Sequence, residues 1–189
     1  MSNPDPTHFK ALDRIWKYLN DPNYLDKALV YTAQSAPLLI GYSDADWGGD
    51  YTTRKSTTGY VFLLNKRAPI SWRSILQKSV ALSSCEAEYM ALKEATKEAI
   101  FLKELLKELK LEDRAITVYT DSNSAIELAN NPEHHAKTKH IDIQYHFVRD
   151  IIYKGLIELV WISTKNQVAD ILTKALERGL YNNLRDYLL

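Results

Sequence analysis

Apolar residues recur along this chain in two rhythms, one helical and one strand-like, and their alternation lays out the elements. Phe9, Leu12, Ile15, Trp16 and Leu19 fall at helical spacing and predict an amphipathic helix over 7–19, which Asn20-Asp21-Pro22-Asn23 stops. Ala28 to Thr32 reads as a short strand and Gln34-Ser35-Ala36-Pro37 as a linker. Leu38-Leu39-Ile40-Gly41-Tyr42 is then a compact apolar run, followed at once by Ser43-Asp44-Ala45-Asp46-Trp47. Gly59 to Leu64 and Ala68 to Ser74, the latter with Ile70 and Trp72 alternating, predict two more strands joined by a hairpin turn at Asn65-Lys66-Arg67. Three successive strands predict an antiparallel meander.

The longest periodic stretch comes next. Ser83 or Ser84 caps a helix that runs to about Leu109. At about 100° per residue, positions 88, 91, 92, 95, 99, 102, 106 and 109 form one stripe of Glu, Ala, Leu, Ala, Ala, Leu, Leu and Leu. Lys93, Lys97, Glu104 and Glu108 lie opposite. Glu88 therefore stands on the midline of the apolar face, next to the cap, whereas Glu86 points among the solvent-facing charges. A carboxylate centred on a buried stripe needs a partner or a task, because leaving water unpaired is costly.

Beyond this helix, Ile116 to Thr120 is a β-branched, aromatic strand that ends in Asp121, and Ser122 to Asn130 is a short helix closed by Asn131-Pro132. A polar run, 133–140, precedes a helix marked by Ile141, Tyr145, Val148 and Ile152; Leu156 to Ser163 is a fifth strand. Asn166 caps a last helix over about 167–176, broken or kinked at Arg178-Gly179 before the apolar tail Leu184, Tyr187 and Leu188. A meander followed by alternating strands and helices predicts an α/β fold: a five-stranded mixed sheet, three strands antiparallel and then parallel ones, with helices on both faces. The chain divides into 1–36, a helix and linker, and 37–189, the main domain.

With 189 residues, 46% of them hydrophobic, the chain can bury one good-sized core. Its formal net charge of zero offers no global basic field for nucleic acid, so any such contact must come from local Lys or Arg clusters. Cys85 is the only cysteine, which forbids an internal disulfide and fits a reducing compartment. No apolar run approaches a membrane span and no signal peptide opens the chain, so the expectation is a soluble, intracellular protein without a membrane partner.

Four acids stand out by position: Asp44 and Asp121 at strand ends, Glu88 at a helix start, and Asp170 in the first turn of the last helix. Asp44 shares the side-chain face of Ile40 and Tyr42, and Asp46 lies two residues further out as a loop or outer-sphere charge. Acids converging from separate elements hold hard divalent cations, which take oxygen ligands. Singly, Asp121 and Asp170 are also ordinary helix-capping residues.

Tyr42-Ser43-Asp44, Glu88-Tyr89-Met90-Ala91-Leu92, Thr120-Asp121-Ser122 and Asn166-Gln167-Val168-Ala169-Asp170 resemble the four motifs of ribonuclease H. More closely, the chain is similar to the ribonuclease H region of copia-type LTR retrotransposon Pol polyproteins. The matching stretches are Gly41 to Trp47, Lys55 to Val61, Ala81 to Tyr89, Thr138 to Ile143 and Gln167 to Lys174. The first helix resembles the segment that leaves the reverse transcriptase in such polyproteins. The resemblance implies a ribonuclease H fold and an endonuclease that hydrolyses the RNA strand of RNA–DNA hybrids during reverse transcription. It implies two Mg²⁺ ions, with Mn²⁺ able to substitute, held by Asp44, Glu88, Asp121 and Asp170 as catalytic residues. It also implies the reverse transcriptase domain of the same polyprotein as a partner, a monomer as the isolated domain, and a cytoplasmic (virus-like particle) or nuclear location.

By the same resemblance Ser83, Ser84 and Cys85 border the RNA strand, and Asn123 follows Asp121 at the same edge. Lys137, Lys139 and Lys165 supply charge for phosphates, against the alternative that each is a solvated surface residue. Many ribonucleases H carry a loop His shortly before the last catalytic Asp; Trp161 to Asn166 is short and has none. His140 is the candidate replacement as a proton shuttle, against a purely structural role at a helix start. Trp47 and Trp72 read as packing residues rather than base-stacking platforms. Two other readings stay open: a non-catalytic module that binds nucleic acid or polymerase, and another phosphotransferase of this fold, such as an integrase-type or resolvase-type enzyme.

Overall fold

A computed structural model describes residues 3–25, 27–31, 38–111, 114–130 and 139–189, and the side chains of all these except 23, 24 and 139–145. The elements run α1 (Pro6–Leu19), α2 (Pro22–Leu25), β1 (Leu39–Asp46), β2 (Thr57–Leu64), β3 (Ala68–Leu76), α3 (Ser84–Glu108), β4 (Ile116–Thr120), α4 (Asn123–Asn130), α5 (Lys139–Tyr153) and β5 (Ile157–Trp161). Two 3₁₀ turns, Thr164–Asn166 and Val168–Leu172, lead into α6 (Arg178–Leu188).

The five strands form one sheet in the order β3-β2-β1-β4-β5. β3, β2 and β1 are antiparallel neighbours, while β4 lies parallel to β1, and β5 parallel to β4. This is the mixed sheet that the pattern predicts. β1 is central, and seven of its eight residues are buried, which is why its first half, Leu39 to Tyr42, has no polar side chain in alternation.

Side chains alternate across the sheet with a period of two, and the two faces bury different partners. Leu39, Tyr60 and Phe62 pack with Tyr89, Leu92, Ala95, Ala99, Leu102 and Leu106 of α3 and with Val148 and Ile151 of α5. Ile40, Tyr42, Val61 and Leu63 pack on the other face with Val168 and Ala169, against which Tyr187 and Leu188 of α6 are partly buried. Helices on both faces follow from this division. The predicted stripe of α3 is the buried one from Ala91 to Leu106, whereas Leu109 is its exposed C-cap.

Three local expectations are corrected. Residues 28–31 form no strand. Side chains hold this segment instead: the Tyr31 hydroxyl donates to the Pro69 carbonyl at 2.7 Å, and Lys27 pairs with Asp186 at 3.0 Å. Pro69, in the edge strand β3, has no N–H to offer a further strand. The helix capped by Asn166 is also absent: this stretch forms the two 3₁₀ turns, and Arg178-Gly179 opens a helix rather than breaking one. Trp47 and Trp72 lie outside the core, half-covered at 53% and 55% exposure, rather than packed within it.

In α1, Asp5 caps the helix by accepting from the Thr7 and His8 backbone N–H groups, and His8 returns a bond to the Asp5 N–H. Phe9, Leu12, Ile15, Trp16 and Leu19 are all exposed along it. Its Tyr18 hydroxyl bonds that of Tyr181 in α6 at 2.8 Å. Among the described residues no helix is long and apolar enough to cross a membrane.

Candidate active site

β1 and β4 pair in parallel through three rungs, of which Tyr42 opposite Tyr119 is the last. Asp44 and Asp121 each stand two residues beyond that rung, so the two chains carry carboxylates into the opening between them. β1 and β4 flank the point where the strand order reverses, the place where an open α/β sheet leaves a crevice at the carboxyl ends of its parallel strands. Asp44 does not end its strand as predicted. β1 continues to Asp46, because β2 pairs with it through Thr57, and Asp44 is only 1% exposed.

Glu88 enters from α3. Ser83 caps that helix by accepting the Glu86 N–H at 3.1 Å, and the Glu86 carboxylate accepts the Leu82 N–H at 2.7 Å. Glu86 is thus engaged at the helix start, as its outward position suggests. Gln77 ties the same turn to the sheet, donating to Thr58 Oγ1 and to the Ala87 carbonyl, both at 3.0 Å. Glu88 follows directly and is free to face the strand ends.

Carboxylate oxygens of Asp44, Glu88 and Asp121 lie within 4.8 Å of one another. At an effective dielectric constant of about 20, two unit charges at that separation repel by about 3.5 kcal/mol, and three would be worse. Such a cluster must bind protons or a cation. Burial, and next the charges of Asp44 and Asp121, push the Glu88 carboxyl up to about 9. Glu88 Oε2 is buried without a hydrogen-bond partner among the described residues. A buried orphan oxygen converging with two further acceptor-only groups fits a hard divalent cation, and Asp44, Glu88 and Asp121 are the residues that could hold it.

Asp170 joins from the opposite side. It lies in the Val168–Leu172 turn, buried with Val168 and Ala169. This turn sits on β2 at Gly59, the cross-strand partner of Asp44. A Cβ on Gly59 would lie 2.5 Å from Thr173 Cγ2 and 3.1 Å from the Ala169 carbonyl, so only glycine admits the turn so close. Burial first, then the neighbouring Asp44, raise the Asp170 carboxyl to about 7. Lys174 Nζ stands 2.9 Å from Asp170 Oδ1 and 3.6 Å from Asp44 Oδ2, bridging the pair. Burial disfavours the Lys174 charge, but Asp170, Asp44 and Asp121 outweigh it and raise its pKa. The four acids are therefore arranged as a cluster of three, with Asp170 adjoining Asp44 across an ammonium.

Neutral side chains hold these acids in place. The Thr164 hydroxyl donates to Asp121 Oδ2 at 2.7 Å, and Trp161 Nε1 donates to the Asp121 carbonyl at 3.2 Å. The Thr173 hydroxyl donates to Asp44 Oδ2. Gln167, fully buried, donates from Nε2 to the Ser43 carbonyl at 3.0 Å and accepts the Ala169 N–H at 3.2 Å. Asp46 is half-buried at the end of β1, packed so tightly on Gly49 that a Cβ there would meet Asp46 Oδ2 at 1.9 Å.

Of the predicted substrate residues, Ser83 and Ser84 are exposed at the start of α3, beside Glu88, and Asn123 is exposed at the start of α4, beside Asp121. Lys165 is exposed in the first 3₁₀ turn. Lys139 and His140 begin α5, but their side chains lie outside the described ones, as does Lys137 altogether. Sequence reasoning missed Thr164, Gln167, Thr173 and Lys174. Only the last three carried a signal: polar residues three before, three after and four after Asp170 face the same way once that segment winds into turns.

No protein-family model matches the chain. It is 44% identical over 181 residues to the retrovirus-related Pol polyprotein from transposon TNT 1-94 of Nicotiana tabacum, covering 96% of this chain and 13% of that protein. It is 40% identical over 185 residues to the Pol polyprotein from transposon RE1 of Arabidopsis thaliana, covering 97% and 12%. The chain thus spans about an eighth of the length of these relatives. Among solved structures, LC11-RNase H1 in complex with RNA/DNA hybrid superposes with a TM-score of 0.53 at 18% identity, over 71% of this chain and 93% of that one. The sheet order, the helices on both faces and these relatives agree: the chain belongs to the copia-type Pol polyproteins of transposons and has the ribonuclease H fold.

Proposed function

We propose that this chain is the ribonuclease H portion of a Pol polyprotein and hydrolyses the RNA strand of RNA–DNA hybrids. The observation that carries this reading is the convergence of Asp44, Glu88 and Asp121 at the mouth of two parallel strands, with one Glu88 oxygen buried and unsatisfied. Asp44, Glu88, Asp121 and Asp170 would hold divalent cations, Mg²⁺ in the first place with Mn²⁺ able to replace it. Bound there, two such ions would supply activation of a water and charge stabilisation for the departing 3′ oxygen. The chain's own residues do the rest. Asp44 is the shared acid between the cluster of three and Asp170; Thr164 and Thr173 orient Asp121 and Asp44. Lys174 neutralises the Asp44–Asp170 pair. Ser83, Ser84 and Asn123, exposed at the starts of α3 and α4, would meet backbone and 2′-hydroxyl groups of RNA, the features that identify an RNA strand. The reverse transcriptase domain is the partner that would feed hybrid to this site.

A labelled hybrid incubated with the chain in Mg²⁺ or in EDTA tests this reading. RNA cleavage in Mg²⁺ alone, lost in Asp44→Asn and Asp121→Asn but kept in Glu86→Gln, is the expected result. A chain that cuts nothing in Mg²⁺, or one that cuts equally well with Asp44→Asn, refutes it.

A further inference from the structure

We propose that Gln167 and Thr173 are positioning residues that latch the turn carrying Asp170 onto β1 and so set the spacing between Asp170 and Asp44. The inference rests on the reading of those acids as metal ligands. A five-residue 3₁₀ turn closes few bonds of its own and is held in place chiefly by what it packs on. Here both flanks of the turn are tied to the same short piece of β1. On its N-terminal side Gln167 uses one carboxamide twice: it accepts from Ala169, the residue before Asp170, and donates to the carbonyl of Ser43, the residue before Asp44. Those backbone groups belong to segments far apart in the chain, and no other described side chain bonds both. On the C-terminal side Thr173 donates directly to the Asp44 carboxylate.

The Ser43 carbonyl lies just past the last β1–β4 rung, so Gln167 reaches β1 where β4 no longer pairs with it. A fully buried carboxamide with a lost partner forfeits hydrogen bonds that water cannot replace, which makes the latch stiff. Gly59 completes the seat by letting the turn lie directly over the Asp44 rung. Ligands need placement to within about half an ångström to hold an ion well, and partners behind a ligand typically govern about ten- to hundredfold in metal affinity.

The test uses Mn²⁺ binding by calorimetry in the absence of nucleic acid, alongside urea unfolding in EDTA. Gln167→Met and Thr173→Val keep volume and remove the bonds; Thr173→Ser keeps the hydroxyl. Thr96→Val is the control, because Thr96 is equally buried and donates to the Leu92 carbonyl at 2.8 Å within α3. Gln167→Met and Thr173→Val are expected to weaken Mn²⁺ binding about tenfold, with Thr173→Ser near wild type. Thr96→Val is expected to lower the urea midpoint and leave Mn²⁺ affinity unchanged. Wild-type affinity retained in both Gln167→Met and Thr173→Val overturns the latch while leaving the metal site standing. A wild-type chain that binds no Mn²⁺ overturns the metal-site reading itself. Should Gln167→Met fail to fold, the Thr173→Val and Thr173→Ser pair decides alone.

Discussion

Replacing Glu88 by Gln is expected to stabilise the metal-free protein while abolishing its response to metal. In the fold the Glu88 carboxyl is raised from 4.5 to about 9, chiefly by burial and next by Asp44 and Asp121. Between those values the folded chain holds a proton at Glu88 that the unfolded chain has released. Stability therefore falls as pH rises, by about 1.4 kcal/mol per unit, until the folded group also ionises near 9. Asp170, raised from 3.8 to about 7, contributes a second slope of the same sign that ends near neutrality. At pH 7 the Glu88 proton alone thus costs about 3 kcal/mol relative to an uncharged residue of equal shape, a large share of the typical 5–15 kcal/mol of a domain. Gln mimics the protonated acid and does not titrate. Urea unfolding in EDTA at pH 6, 7 and 8 reads the slope directly. The wild type should lose stability across the series, and above pH 7 Glu88→Gln should be flat and more stable. At pH 7 Mg²⁺ should then reverse the order, because an ion bound only by the folded state adds about 4.1 kcal/mol at a thousand times its Kd, more than that cost. Parallel pH slopes for the two proteins in EDTA would refute the assignment of a buried, proton-holding Glu88.

Three further outcomes follow from the packing of the sheet and of the acids on it. Gly59→Ala should lower the unfolding free energy read from urea titration by about 1–3 kcal/mol, the usual cost of overpacking, and should weaken Mn²⁺ binding as well, because the new Cβ meets the Ala169 carbonyl and Leu172 Cβ, both at 3.1 Å. Gly41→Ala is the matched comparison: its Cβ would meet Phe62 Cε1 at 2.5 Å on the other face of the sheet, so calorimetry should find stability lost and Mn²⁺ affinity kept. Thr164→Val removes the donor to Asp121 Oδ2 and should lower the rate of hybrid cleavage about tenfold with little change in the urea midpoint, since Thr164 is exposed.

Much of this architecture was legible in the residues. Helical periodicity alone separated Glu88 from Glu86, and the fold agrees, with Glu86 engaged by Leu82 and Glu88 turned inward. The strands of the sheet were legible because β1 and β2 open on or contain dense apolar runs, while β3 and β4 are β-branched and aromatic or alternate. The turn around Asp170 was not. Val168, Ala169 and Leu172 fit a helical spacing, and nothing local shows that their apolar side chains are spent on the sheet face that carries Tyr42 and Leu63. A 3₁₀ turn there is a tertiary outcome, imposed by Gln167 bonding Ser43 and by the space over Gly59. The exposure of Trp47 was likewise hidden: its indole N–H donates to the Ala81 carbonyl at 3.1 Å, which holds the ring against the start of α3 while leaving half of it outside.

The seat over Gly59 also governs when this site can exist. The strands and α3 are complete by Trp161, yet the turn that covers one face of β1 and β2 comes from residues 167–173. A growing or truncated chain that stops short of this segment would leave Ile40, Tyr42, Val61 and Leu63 uncovered and Asp44 without Thr173 or Lys174. Contacts of such long sequence separation carry the entropy of closing the chain between them, which local contacts do not. The acid centre therefore cannot be complete before residues 167–173 have docked over β1 and β2, however early the sheet itself is made.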